Sequence, residues 1–432
     1  MTSDVPTRLL ARTREVDDVR SVLAHLPAGA DPRELCSWVR GGDGIVGWGR
    51  VAGIATCGDS RFADAETWWR QIVADAEVVD EVDLVGTGLV AFGSFAYSSV
   101  SAEQSVLAVP RVILGRRDGR SFVTTVTTAA EAERGRPGAA GADVQAETEL
   151  PDPPGEVSFA DGALAGPAWQ TAVAEAVRRI SAGELDKVVL ARDLIAESES
   201  PIDPRFLLER LAEVYGTTWV FAVDGLVGAT PEMLVRLERG LVTSRVLAGT
   251  IRRTGDDDRD LALAASLAHS SKDLEEHEYA VASVADVIAR YCTSVNMPET
   301  PFVLHLPNVL HLATDVAGRL TNGASSLTLA QALHPSAAVC GTPKPVADMM
   351  IADLEHMDRG RYAGPVGWID DHGDGEWGIA LRSGALDPVD PRRMRLFAGC
   401  GIVAGSDPEA ELAESDAKLV PMRTALAAPT RA

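Results

Sequence analysis

Apolar residues along this chain switch between a period of two and a period near 3.6, and the switches mark out its elements. Residues 45–54 read as two strand fragments broken by glycine. Trp68, Trp69, Ile72, Val73 and Ala76 predict a packed helix over 66–80. Residues 89–97 and 109–126 read as strands, the second folded at Asp118-Gly119, a strong hairpin signal. The stretch 129–156 is rich in Ala, Gly, Glu and Pro and predicts a flexible linker or loop. Beyond it Trp169, Val173, Ala176, Val177 and Ile180 predict a helix closed by Gly183.

The strand predicted at 185–194 puts Lys187, Val189 and Ala191 on one face and Val188, Leu190 and Arg192 on the other. Residues 219–236 read as two strands around a turn, with Thr230, Pro231 and Glu232 between apolar runs. Residues 247–252 form a strand-to-loop exit, and a long helix is predicted from 270 to 291. A strand over 309–318 turns His311 away from Leu310 and Leu312. A turn-rich stretch, 333–345, feeds a helix over 346–356. Residues 361–370 and 375–382 predict a hairpin with Arg382 at the end of its strand. The apolar run 396–405 reads as a buried strand, followed by a helix led by Asp407 and Pro408.

A 24% share of charged residues against 46% hydrophobic is ordinary for a globular chain with a sizeable core. The formal charge of −23 argues against a nucleic-acid partner, which needs a basic face. It permits an anionic small molecule if a local basic pocket or a bound cation overrides the global sign. Cys36, Cys57, Cys292, Cys340 and Cys400 are odd in number, scattered and free of C-x-x-C spacing, so no disulfide framework or zinc motif is expected. With no leader pattern and no long apolar run, the expectation is a soluble, cytoplasmic protein without a membrane partner.

Several polar residues stand out, and each has an ordinary explanation on its own. Lys187 among valines reads as a strand-edge lysine reaching water, or as a desolvated amine able to act as a base. Glu411, Glu414 and Lys418 share one helix face at i, i+3 and i+7, which fits a solvated face worth a few tenths of a kcal/mol. Asp273 and Glu276 make a second acidic face, and the helix dipole alone would account for acid near that N-terminus. His311 by itself reads as a structural strand histidine.

Taken as an ordered set, the segments KVVLAR, GATPEMLVR, LAGTIR, SKDLEEHE, HPSAAVCGTP, RGRYAGPVGW, GEWGIALR and AGCGIVAGSDPEAELAESDAK resemble the chorismate-utilising enzymes. That family includes isochorismate and salicylate synthases and the large subunits of anthranilate and aminodeoxychorismate synthases. The resemblance runs continuously over about 160–425. It leans to the menaquinone or siderophore type of isochorismate synthase, because the Lys187 strand matches that branch's water-activating lysine. Gly367-Trp368 and Gly375-Glu376-Trp377 match it too. Ala337 departs from the proline many members carry there, and Ala338 stands where salicylate-forming members tend to have threonine.

The resemblance implies an α/β fold of large, mostly antiparallel sheets in a sandwich flanked by helices, with the site in a deep cleft. Residues 1–128 would add strands and helices to the same body, 129–156 a linker, and 157–432 the catalytic region. It implies conversion of chorismate to isochorismate, with Lys187 as base on water and Glu232 as acid on the leaving hydroxyl. Lysine lowered and glutamate raised in pKa would suit those roles. Glu276 and Glu414 would bind Mg²⁺, supported by Asp273 and Glu411. Gly249, Thr250, His311, Ala338, Tyr362, Arg382, Gly399, Gly401 and Lys418 would contact substrate. A monomer without a glutaminase partner is expected. The rivals are a salicylate synthase, an amine-forming chorismate enzyme and a non-catalytic chorismate-binding homologue.

Overall fold

The computed structural model describes residues 8–134 and 146–427, so residues 135–145 of the expected linker lie outside the described residues. Among the described residues, twenty-one strands join into one hydrogen-bonded network. Every pairing among the described residues is antiparallel except that of Leu9–Val16 with Glu77–Asp80, which is parallel. The start of the expected linker is a short helix, Ala129–Glu133, whose Thr128 and Glu131 form a capping box. Thr148 then ties the chain back to the carbonyls of Ala24 and Leu26.

Turn chemistry explains both the matches and the misses. Ser105–Arg117 and Arg120–Thr128 form the expected hairpin, with Asp118 and Gly119 at φ 53° and 75°, the paired positive φ of a type I′ turn. The same device acts at Asp224 and Gly225, at φ 49° and 80°. It splits 219–236 into three strands, Trp219–Val223, Leu226–Thr230 and Met233–Glu238, rather than two. Asp43–Thr56 is a single strand that shifts register between Arg50 and Ala52, beside Gly49 at φ 65°, so its glycine makes a bulge and not a break. The first helix spans Arg61–Asp75. The expected helical residues 77–80 are instead the parallel strand, because the apolar helical face ends at Ala76 and Val78 and Val79 take up strand pairing.

The first third of the chain is stitched to the last. Cys36–Arg40 pairs with Trp219–Val223, and Val90–Ser94 pairs with Pro365–Asp370. The largest apolar cluster runs from Phe62, Trp68 and Trp69 through Ile369 and Trp377 to Trp169, Val173 and Leu190. Trp169 sits on the helix Gly166–Ser181, is fully buried, and donates from its indole nitrogen to the Ala191 carbonyl at 3.2 Å. Truncating such a side chain to alanine costs about 3–5 kcal/mol. That burial braces the strand Lys187–Ser198 from behind.

Three strand pairs frame the polar residues singled out above: Lys187, Thr250 and His311 lie on the first two, and Glu232 and Arg382 flank the third. Lys187–Ser198 pairs with Arg393–Ile402, Leu241–Arg252 with Val309–Leu320, and Met233–Glu238 with Gly375–Ile379. The helices Ser271–Ile288 and Pro408–Leu426 lie against this framework, capped by the Ser270 and Asp407 side chains. Arg382 does not end its strand as expected: the strand stops at Ile379. The Leu381 N–H then donates to the Ile379 carbonyl at 2.7 Å in a three-residue turn. Arg382 follows in the left-handed region at φ 50°.

Candidate active site

One cavity of about 170 Å³ gathers residues from ten separate stretches of the sequence, from Lys187 to Lys418. Lys187, Glu232, Gly249, Thr250, Asp273, His311, Ala338, Tyr362, Arg382, Gly399, Gly401, Glu411, Glu414 and Lys418 all line it. These are the sequence-predicted site residues with one exception: the side chain of Glu276 lies outside the described residues. Spacing along one element could not bring these groups together. Pairing across the sheet does so, placing Gly399 beside Ala191 and Gly401 beside Val189, with all four on the cavity wall.

Gly249 shapes the wall formed by Leu241–Arg252. It sits at φ 77°, where the register shifts between Ala248 and Thr250 and brings Thr250 opposite His311. A Cβ there would lie 3.2 Å from that of Asp273. The backbone thus needs glycine for its conformation and for the close approach of the acidic helix. The Thr250 hydroxyl meets His311 Nδ1 at 3.0 Å, and Arg382 Nη2 lies 3.5 Å from Nε2. Burial holds the imidazole well below its usual pKa, and the charges of Arg382 and Lys418 add to the effect. A neutral ring accepting from Arg382 carries its proton on Nδ1, towards Thr250. Arg382 is itself buried, and its left-handed backbone is the kind of strain that persists where the surroundings fix a functional side chain.

Glu232 follows Pro231 in the short link between Leu226–Thr230 and Met233–Glu238, and its N–H donates to the Thr230 hydroxyl at 3.2 Å. The side chain is buried. Burial pushes its carboxyl up to about 8, against the opposing pull of Lys187, Arg382 and Lys418. A carboxyl in that range is mostly protonated at neutral pH and can donate a proton.

The helix Pro408–Leu426 presents its acidic face to the cavity. Lys418 pairs with Glu414 at 2.7 Å and donates to the Gly399 carbonyl at 2.9 Å. Burial works against the ammonium charge, but the Glu414 carboxylate overrides it and holds the Lys418 pKa above the ordinary lysine value. Cys400, between the two predicted glycines, joins Glu411 and Glu414, with candidate ligand atoms within 4.8 Å of one another. Its thiol contacts the Glu411 carbonyl at 3.4 Å, and burial raises its pKa well above the usual value, leaving it a neutral neighbour.

The sequence reading missed Arg359, which also lines the cavity. It opens the RGRYAGPVGW segment, and its burial against Glu355 has no signature in spacing. Cys400 is flanked by two predicted residues, but cysteine number and spacing carry no signal that would single it out.

A family model described as "Chorismate binding enzyme" matches residues 3–427. The chain belongs to the chorismate-binding enzyme family. Within that family it is 37% identical to isochorismate synthase MenF of Bacillus subtilis over 262 residues, which is 60% of this chain and 55% of that protein. The match thus spans about half the length of that relative. Among solved structures, the menaquinone-specific isochorismate synthase MenF from Escherichia coli superposes with a TM-score of 0.80 at 26% identity. That match covers 98% of this chain and 96% of the other. A putative 2,3-dihydroxybenzoate-specific isochorismate synthase, DhbC, from Bacillus anthracis gives 0.75 at 30% identity, covering 94% of this chain and 98% of that one. The family's α/β architecture accounts for the large antiparallel network and its flanking helices.

Proposed function

We propose that this chain is an isochorismate synthase, a hydroxymutase that converts chorismate to isochorismate for menaquinone or siderophore synthesis. One observation carries the reading. Lys187 and a Glu232 held protonated to about pH 8 line the same cavity, which also holds Arg382 and Lys418 for an anionic substrate. The similarity to proteins named isochorismate synthases supports the same reading.

Water adds at C2 of the ring, the double bonds shift, and the C4 hydroxyl departs as water. Lys187 takes the proton from the incoming water, and Glu232 gives its proton to the leaving oxygen. Arg382 offers a planar fork to a carboxylate, and Lys418, fixed by Glu414 and Gly399, offers a point charge. His311, neutral and held between Thr250 and Arg382, orients both. The glycines at 249, 399 and 401 let substrate approach the backbone closely.

Carboxylates on two helices, Asp273 on one and Glu411 and Glu414 on the other, suit a hard cation that keeps several waters. The neutral, soft thiol of Cys400 is no rival ligand for it. The donor set therefore fits Mg²⁺. Glu276 and Glu414 would hold the ion directly, with Asp273 and Glu411 in support, and it would neutralise a substrate carboxylate. Five unpaired cysteines fit a reducing, cytoplasmic setting. Among the described residues no helix is long and apolar enough to cross a membrane.

Incubation with chorismate and Mg²⁺, followed by chromatography of the products, tests the reading. Accumulating isochorismate supports it. Salicylate with pyruvate, or an amine formed only with ammonia, would replace it.

A further inference from the structure

The strand Lys187–Ser198 has a gap in its ladder just beyond the lysine. One edge pairs with Arg393–Ile402 from Val188 to Glu197. On the other edge Gly341–Thr342 reaches only Val188 and Lys187, and Val157–Asp161 takes over from Leu194 to Ser198. In between, the Val189 N–H donates to the Cys340 carbonyl at 2.7 Å, but the Val189 carbonyl and the Ala191 N–H face no strand. Beside the Trp169 indole on the Ala191 carbonyl, two side chains take up these groups. Arg359 Nη2 donates to the Val189 carbonyl at 2.8 Å, and the Ala191 N–H donates to Glu355 Oε1 at 2.7 Å.

Arg359 and Glu355 are also joined to each other, Nε to Oε2 at 2.9 Å, with side chains only 3% and 1% exposed. Arg359 Nη1 reaches the Val339 carbonyl at 2.8 Å, and the guanidinium lies 4.4 Å from the Tyr97 ring centre. One planar fork therefore binds the lysine strand, the loop carrying Ala338 and Val339, and the helix end carrying Glu355. Val189 and Val339 both line the cavity. A lysine could not make these bonds together.

A buried ion pair is weak evidence for stability, since an apolar pair of similar volume is often as good. What this pair supplies is a fixed distance between the strand of the base and the adjoining Ala338–Val339 wall. We propose that Glu355 and Arg359 are a positioning pair that sets the Lys187 amine against the Ala338–Val339 wall and so against the bound ring. The proposal rests on the isochorismate synthase reading, because it assigns Lys187 a proton to take.

The test compares Arg359→Lys and Glu355→Gln with wild type in the full chain. It reads kcat, KM for chorismate, the pH profile of kcat and the thermal midpoint. For Arg359→Lys the expected result is folded protein, KM within about 3-fold and kcat down about 10- to 100-fold, since a misplacement near 1 Å can cost about 100-fold. The kcat limb of the base should also move. Glu355→Gln keeps an acceptor for Ala191 and should change in the same direction by less. A kcat within about 2-fold of wild type overturns the proposal. So does a loss that only tracks the folded fraction while the pH limb stays put. Should Arg359→Lys be unfolded at the assay temperature, Glu355→Gln decides by the same criteria. Wild-type turnover separates the two claims: an inactive wild type contradicts the function, whereas an active wild type with unimpaired variants contradicts the pair.

Discussion

Glu414 and Lys418 face each other at 2.7 Å across one helical turn, while Lys418 also donates to the Gly399 carbonyl at 2.9 Å. The ammonium is thus aimed by two fixed acceptors from different elements, and the pair is more than a solvated i, i+4 contact. On the proposed reading Glu414 also serves the cation. Glu414→Gln should lower turnover by about 100-fold or more and raise the Mg²⁺ concentration needed for half-maximal rate, with far-ultraviolet circular dichroism unchanged. An unaltered Mg²⁺ dependence would leave this helix face without a role in metal binding.

The buried Glu232 carboxyl makes a pH prediction for stability. Its ordinary value is 4.5, and burial raises it to about 8 in the folded chain. Between these values the folded state keeps a proton that the unfolded state has released. Stability from this group is therefore complete below about 4.5 and is lost as pH rises through about 8, at on the order of 1 kcal/mol per pH unit within the window. Glu232→Gln removes the effect. Its thermal midpoint should gain on wild type steadily from pH 5 to 8 and then level off. A constant difference across that range would show that the carboxyl is not held protonated.

The same group predicts a rate profile. As the acid of the proposed reaction, Glu232 must be protonated, so kcat/KM should fall above about pH 8. Glu232→Gln should lose about 100- to 10,000-fold in kcat. A variant retaining a tenth of the activity would assign the acid elsewhere.

Gly249 offers a purely structural prediction. At φ 77° and with a Cβ that would sit 3.2 Å from that of Asp273, alanine there is strained and crowded. Gly249→Ala should lower stability by about 1–2 kcal/mol and reduce turnover by displacing Thr250 from His311. Denaturant unfolding and steady-state rates measured together check both. Full stability would mean that the bulge relaxes without cost.

Much of this architecture was legible in the chain, and the failures share a cause. The Asp118-Gly119 hairpin and the helix before Gly183 were marked by local chemistry. Asp224-Gly225 carried the same turn signal but was hidden inside a long apolar run. Residues 77–80 were misread because Val78 and Val79 could extend either period, and only the neighbouring strand Leu9–Val16 decides between them. In the site, Glu411, Glu414 and Lys418 were visible as one face, and the ordered set of motifs suggested that distant segments converge. Nothing local could show that Glu355 and Arg359 are buried rather than a surface i, i+4 pair, because their partners Val189, Ala191 and Val339 lie at least twenty residues away from Arg359. Arg382 looked like the end of a strand because the turn that frees it is made by backbone bonds alone.

The central claim is tested most directly by the product that Lys187→Ala and wild type make from chorismate with Mg²⁺, followed by chromatography over time. The account predicts that wild type accumulates isochorismate and that Lys187→Ala forms it about 100- to 10,000-fold more slowly, while still binding chorismate. Isochorismate formation at a near-normal rate in Lys187→Ala, or its absence in wild type, would contradict the account.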